Sequence, residues 1–406
     1  MPEAVIVAAA RSPIGRAGKG SLVGVRADDL IADIAGAALA QVPALDPRAL
    51  DDVLLGCAQP AGEQGYNLAR MLALRLGLDG VPGVVVQRYC ASSVQTTRMA
   101  LHAIRAGEGH AFLSAGVEMV SRYDRGKADG MPGTHHPRYA VAEERTAARA
   151  RGGGADWVDP RSAGAEPDVY IAMGHTAENV AQHCGVSRRE QDEFAVRSQN
   201  LAEKAIMDGF WATDITPVTL PDGTVVDRDD GPRAGVTLEK VGALKPVFRP
   251  DGTVTAANCC PLNDGAAALV VLSDTRAREL GQTPLARVVA TGVSALSPEI
   301  MGLGPVQATQ RALANAGLTI GDIDLVEMNE AFAAQVIPSY RMLGIDLDRL
   351  NVHGGAIAVG HPFGMTGARM TTTLINALRF RDRQFGLVTM CTAGGQGMAL
   401  IIERLS

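Results

Sequence analysis

Four groups far apart in a 406-residue chain have the types to do chemistry together: the thiols of Cys90 and Cys391, the imidazole of His361 and the amide of Asn329. Cys90 closes the run Val84-Val85-Val86-Gln87-Arg88-Tyr89-Cys90 and opens an alanine-rich stretch that reaches Ala106. Three consecutive β-branched residues predict a buried strand, while Ala91, Val94, Thr97, Met99, Leu101 and Ile104 fit one side of a helix. The sulfur then stands at a helix N-terminus, where unpaired amides and the positive end of the dipole favour a thiolate over the ~8.5 pKa of a free thiol. A cysteine after a strand is more often structural, so its partners decide what it does.

Those partners lie downstream. His361 sits in the rigid turn Gly360-His361-Pro362-Phe363-Gly364, and an imidazole with an ordinary pKa of ~6.5 can serve as base and acid, typically for ~10²–10⁴ in rate. Cys391 ends a strand and enters Thr392-Ala393-Gly394-Gly395, whose exposed amides could bind a developing oxyanion. Asn329 and Phe332 taken singly would be a turn residue and a core residue; they stand out as the unit Asn329-Glu330-Ala331-Phe332.

Four such stretches in this order, with matching sequence between them, closely resemble the thiolase family, of the acetyl-CoA acetyltransferase type. The resemblance runs over nearly the whole chain. It implies an α/β fold, duplicated and five-layered (α-β-α-β-α), with a long inserted loop domain. It implies Cys90 as nucleophile, His361 as the base that takes its proton, Cys391 as carrier of the α-proton, and Asn329 positioning a water in one oxyanion hole. A second hole would be made by the amides of Cys90 and Ala393. Arg233 would meet the nucleotide end of coenzyme A, Cys260, Ala331 and Phe332 the pantetheine arm, and Met173 and Met301 would flank the acyl pocket. The reaction implied is condensation of two acetyl-CoA to acetoacetyl-CoA and CoA, or the reverse thiolysis of a 3-ketoacyl-CoA, through an acyl-cysteine and with ping-pong kinetics. Coenzyme A thioesters are then substrates and no cofactor is permanently bound. Dimers pairing into tetramers through the inserted loop are the implied assembly.

The chain departs from the family's usual pattern at four places. Thr255-Ala256-Ala257-Asn258-Cys259-Cys260-Pro261 carries Cys260 where a serine is usual, a weaker hydrogen-bonding group against pantetheine. Ala393 replaces a glycine, which matters only where φ is positive. His353 replaces an asparagine, and Ala172 a histidine beside the acyl pocket. The acyl group accepted is therefore left open between acetyl and longer or unusual chains. A 3-ketoacyl synthase of the same fold would use Cys-His-His or Cys-His-Asn, which Cys391 and the intact Gly360-His361-Pro362 argue against. A non-catalytic lipid-binding relative would be favoured only by loss of Cys90 or His361.

The elements that must position these groups alternate. Strands are expected at Ala4–Ala9, Asp52–Gly56, Val84–Val86 and Ala111–Gly116, and helices at Arg26–Gln41, Asn67–Leu76 and from Ala91 to Ala106, which implies parallel pairing. Tyr123 to Pro167, with its Gly152-Gly153-Gly154, lacks an apolar period and predicts mostly loop. Ser187 and Glu190 form a capping-box pattern ahead of a helix to Asp208. From Pro284 the first pattern restarts: Asp322 to Val326 echoes Asp51 to Val53, and Asn351-Val352-His353 with a helix Met365–Leu378 stands where the Cys90 strand and helix stood. The expected division is 1–121 with 262–282 as one half, 122–261 as the insertion, and 283–406 as the other half.

Composition excludes several classes. A net charge of -6 and a pI near 5.8 argue against a surface built for nucleic acid, while leaving room for a local basic patch. Six cysteines without a CxxC pair suit a reducing compartment, and no histidine spacing suggests a metal. No P-loop or strand-linked GxGxxG occurs. With no long apolar run and no basic leader, the cytoplasm is the expected location.

Overall fold

The small-residue run Ala266-Ala267-Ala268 lies within a strand, Asn263–Ser273, whose every residue is buried. Side chains this small let helices approach both faces, so the strand is central. The computed structural model describes residues 1–152 and 156–406; Gly153 and Gly154 of the expected loop lie outside them.

In the first half the main elements are β1 (Ala4–Arg11), α1 (Ala27–Ala40), β2 (Asp52–Gly56), α2 (Leu68–Arg75), β3 (Gly83–Val86), α3 (Ser92–Ala106) and β4 (Ala111–Met119). Then come α4 (Ala140–Ala150), α5 (Met173–Cys184), α6 (Arg188–Met207) and β5 (Asn263–Ser273). The second half holds β6 (Ala286–Ala295), α7 (Gly304–Ala316), β7 (Leu325–Met328), α8 (Ala333–Leu343), α9 (Thr366–Phe380), β8 (Phe385–Thr392) and β9 (Gln396–Arg404).

The strand order is β3-β2-β4-β5-β1 in one half and β6-β9-β8-β7 in the other. The two halves join where Val5 and Ile6 of β1 meet Arg287 and Ala286 of β6. Between the sheets lie α3 and α9, whose Val94, Leu101, Ile104, Met370, Leu374 and Leu378 share one core with inward residues of both sheets. Outer helices α1 and α2 cover the first sheet, α7 and α8 the second, which makes five layers. The central helices cross closely. A Cβ on Gly367 of α9 would come within 2.5 Å of the Val94 amide nitrogen, and the Ala368 amide donates to Ser93 Oγ at 2.9 Å.

Three expectations need correction. Parallel pairing holds only for β2–β3, β2–β4 and β7–β8; the strands nearest the junction pair antiparallel. The β8–β9 link is a short hairpin, which cannot return a parallel strand. The Val84–Val86 strand is an edge rather than buried, with Val84 exposed. Asn351-Val352-His353 is a turn, not a strand: Asn351 has φ 44, and its side-chain amide accepts from the Met328 N–H and donates to the Met328 C=O, standing in for a ladder partner. The insertion also contains α4, formed by a strongly helix-favouring sequence on a mostly exposed face. The Ser187–Glu190 capping box is present as read.

Candidate active site

Cys90 sits in a single 3-10 turn, Tyr89–Ala91, that runs into α3. Tyr89 is held at φ 42, in the left-handed region that a bulky residue rarely adopts. Ser92 keeps it there: its hydroxyl donates to the Tyr89 carbonyl at 2.6 Å and accepts from the Arg88 amide at 2.9 Å. The turn gives the Cys90 sulfur two backbone donors, its own N–H and that of Ala393. The thiol is nonetheless pushed up to about 12, because burial outweighs the amides and the Glu118 carboxylate opposes a second negative charge. The expected low-pKa thiolate is therefore corrected: the resting group is a neutral thiol.

His361 is buried, and its amide and both ring nitrogens have partners. Its amide donates to Asn263 Oδ1 at 2.9 Å. Thr366 Oγ1 gives its one proton to the Pro362 carbonyl at 2.7 Å, so it accepts from His361 Nδ1–H at 2.6 Å. That network assigns the tautomer and leaves the Nε2 lone pair facing Asn329 Nδ2 at 3.3 Å. Burial, with the Arg369 guanidinium as a lesser cause, pushes the imidazole down to about 3, so it too rests neutral. Arg369 lies 3.5 Å from Glu327, itself buried and pushed up to about 8 by burial.

Cys391 is the last but one residue of β8, which is buried through Thr392, and its thiol is raised first by burial and then by the neighbouring Cys90. Cys260 is raised by burial and then by Cys259, Cys90 and Cys391, so four thiols share this region. Thr392 Oγ1 donates to the Arg88 carbonyl at 2.7 Å, which ties the loop after Cys391 to the turn before Cys90. Positive φ falls on Gly394 and Gly395, at 77° and 75°, and not on Ala393; alanine is accommodated there without strain. Asn329 follows β7, its amide donating to the Thr389 carbonyl at 3.0 Å and its carbonyl accepting from Gln335 Nε2 at 2.8 Å. Its Oδ1 is buried with no partner among the described residues.

Two cavities approach these groups. One, of about 310 Å³, carries Arg16, Arg233 and Lys240 and reaches Cys259. Beside it the Cys260 amide donates to the Ala331 carbonyl at 3.1 Å and Cys259 bridges Phe332. Phe332, Ala331, Met301 and Cys391 form one buried cluster with Met173 against it. The other cavity, of about 500 Å³, is lined by Met173, Tyr89 and Ala393. His353 is elsewhere, stacked on Phe210 at 3.6 Å with neither ring nitrogen bonded, and burial pushes it down to about 4.

Sequence reading passed over Thr366, Asn263, Tyr89 and Glu118. Thr366 and Asn263 are ordinary residue types whose role rests on meeting His361, five and 98 residues away. Glu118 is fully buried and accepts from the amides of Ala58 and Gly364 at 2.8 and 2.9 Å and from the Tyr123 hydroxyl at 2.9 Å. It binds the His361 turn to the first half. Its only sequence signal is a lone glutamate just past the expected strand Ala111–Gly116.

The family model described as Thiolase, N-terminal domain matches residues 4–275, and Thiolase, C-terminal domain matches 282–404. The chain belongs to the thiolase family. It is 43% identical to the beta-ketoadipyl-CoA thiolase of Escherichia coli over 100% of both chains. Among solved thiolases it resembles the human mitochondrial 3-ketoacyl-CoA thiolase in complex with CoA, at 33% identity and a TM-score of 0.85, covering 99% of this chain and 98% of that one. It also resembles the dimeric peroxisomal thiolase of Saccharomyces cerevisiae, at 34% identity and a TM-score of 0.88, covering 99% and 97%. This thiolase has, among its described residues, no helix long and apolar enough to cross a membrane.

Proposed function

We propose that this thiolase cleaves 3-ketoacyl-CoA with CoA, and runs the reverse condensation with acetoacetyl-CoA as its shortest product. The observation that carries the reading is the Cys90 sulfur facing the amides of Cys90 and Ala393, with the Cys391 thiol in electrostatic reach. In thiolysis the Cys90 sulfur attacks the 3-keto carbon as its proton passes to His361, and the new oxyanion meets the two amides. The bond between the second and third carbons breaks. Its electron pair becomes the acetyl-CoA enolate, which takes a proton from Cys391. A CoA thiol then attacks the acyl-Cys90 thioester, its proton restoring Cys391; Cys90 leaves as the thiolate, takes its proton back from His361, and acyl-CoA departs. Asn329 and His361 receive the thioester oxygen while it carries enolate charge.

Neutral Cys90 and His361 fit this route. In a dry site, moving the proton together with nucleophilic attack avoids a buried charge pair with no substrate present. Arg16, Arg233 and Lys240 supply positive charge for the phosphates of coenzyme A at the mouth of one cavity, and Ala331, Phe332 and Cys260 line the way inward. The second cavity, larger than an acetyl group needs, supports a longer acyl chain. Acetyl-CoA and CoA are substrates in this reading and no resident cofactor takes part. The exposed β3 edge supports a homodimer or a tetramer built from two, working in the cytoplasm.

The test is acyl trapping. Incubation with a 3-ketoacyl-CoA in the absence of CoA should leave one acyl group on Cys90, located by mass spectrometry, and Cys90→Ala should abolish both adduct and turnover. Full turnover by Cys90→Ala ends the reading.

A further inference from the structure

We propose that the acyl chain this enzyme selects ends in a hydrogen-bonding oxygen, received by Tyr170 and His135 in the 500 Å³ cavity beside Cys90. The inference rests on the thiolysis reading and names the substrate class for that site.

The cavity lies beside the Cys90 turn: Tyr89, which precedes Cys90, and Ala393, whose amide faces its sulfur, both line it. A wall for a plain alkyl chain would be apolar from end to end. This one sets polar Asp129, Thr134, His135 and Tyr170 among apolar Val169, Ile171 and Met173. The polar groups have capacity left. The Tyr170 hydroxyl accepts from the His136 amide at 3.0 Å, which leaves its own proton to donate. His135 gives Nδ1–H to Glu143 Oε2 at 2.8 Å, which leaves Nε2 to accept from a hydroxyl, or to donate to a carboxylate when the ring carries a second proton. The two rings are stacked 3.9 Å apart and 4° from parallel, so they present these atoms as one surface.

That surface is fixed in place from the other half of the chain. Buried Glu299 accepts from Arg145 at 2.7 Å, from Trp157 Nε1 at 2.7 Å and from the Asp168 amide at 2.8 Å, and Asp168 in turn accepts from the Tyr170 amide at 2.9 Å. Asp129 is held by Gln59 through both its amide and its carboxylate. A polar wall prepared in advance favours a chain that can bond to it, since an alkyl end would strip these groups of water and return nothing. A carboxylate and a hydroxyl share the required oxygen and differ in how they meet the Asp129 charge.

The experiment compares kcat/KM for three CoA thioesters of equal chain length: 3-oxoadipyl-CoA, 6-hydroxy-3-oxohexanoyl-CoA and 3-oxohexanoyl-CoA. At least one oxygen-ended substrate should exceed the alkyl one by about tenfold, in line with one or two well-placed hydrogen bonds. Tyr170→Phe and His135→Phe should each reduce that ratio about fivefold, and the ratio is the readout because a merely weakened protein lowers all three rates alike. Asp129→Asn separates the two sources: it raises the rate for a carboxylate end and leaves or lowers that for a hydroxyl. If 3-oxohexanoyl-CoA is cleaved as well as both others, this inference falls and the thiolysis reading survives. If none of the three is cleaved and acetoacetyl-CoA is not cleaved either, both fall.

Discussion

His361 Nε2 stands 3.3 Å from Asn329 Nδ2, while the other ring nitrogen is bonded at 2.6 Å to Thr366. The pair comes from two loops of the second half, and both side chains are buried with nothing else to bond at that point. Once Nε2 has taken the Cys90 proton, its N–H and the Asn329 amide N–H so held form a cradle for one developing negative oxygen. Replacing Asn329 by alanine removes one donor, which for such sites costs roughly 2.7–4 kcal/mol, or about 10²–10³ in kcat. Steady-state thiolysis should show that loss in kcat with KM changed little, because the donor acts on charge present only late in the reaction.

Thr366 sets which imidazole nitrogen carries the proton. With valine there, Nδ1 loses its acceptor, the tautomers mix and a fraction of Nε2 is protonated when it should be free. Thr366→Val should lower kcat about tenfold, and Thr366→Ser, which keeps the oxygen, should restore most of it. A valine variant as active as the parent would remove Thr366 from the mechanism.

The two cysteines are assigned different protons, and that can be separated by isotope exchange. Transfer of an acetyl group from acetyl-CoA to Cys90 and back to labelled CoA exchanges carbon–sulfur bonds only, breaks no carbon–carbon bond and forms no enolate. It should survive Cys391→Ala within about tenfold, whereas thiolysis of a 3-ketoacyl-CoA should drop by at least about 10², the lower end of the range for a lost acid–base group. Equal losses in both assays would merge the roles.

The sequence showed the strand–helix period, the capping box and the duplication, because each depends on residues close in the chain. It did not show that Asn351 replaces a strand with its own side chain, since an asparagine before Val352 reads like the start of one. Val84–Val86 reads as buried for a similar reason: β-branched runs fit any strand, and whether a strand is central or an edge depends on what arrives beside it. At the site, Cys90 was legible as a junction residue, yet its pKa moved opposite to the expectation. Helix-terminal amides are a local feature; the burial that defeats them is built by α9 and the loop after Cys391, hundreds of residues later.

His353 offers a test of that burial away from the chemistry. It is stacked on Phe210 at 3.6 Å, with Phe380 edge-on at 5.7 Å, and neither nitrogen has a partner among the described residues. Burial is the main cause that pushes it down to about 4, whereas in the unfolded chain it titrates near ~6.5. The sign follows. Between those two values only the unfolded chain binds the proton, so acid favours unfolding, with the loss beginning below about pH 6.5 and complete near the folded value. At pH 5 this single group accounts for roughly 2 kcal/mol of the fall from pH 8. His353→Asn cannot be protonated there. The variant should lose some stability at pH 8 through the missing stack, and its urea midpoint should fall less than the parent's between pH 8 and pH 5. A parallel fall in both proteins would mean that the ring is wetter in solution than its packing indicates.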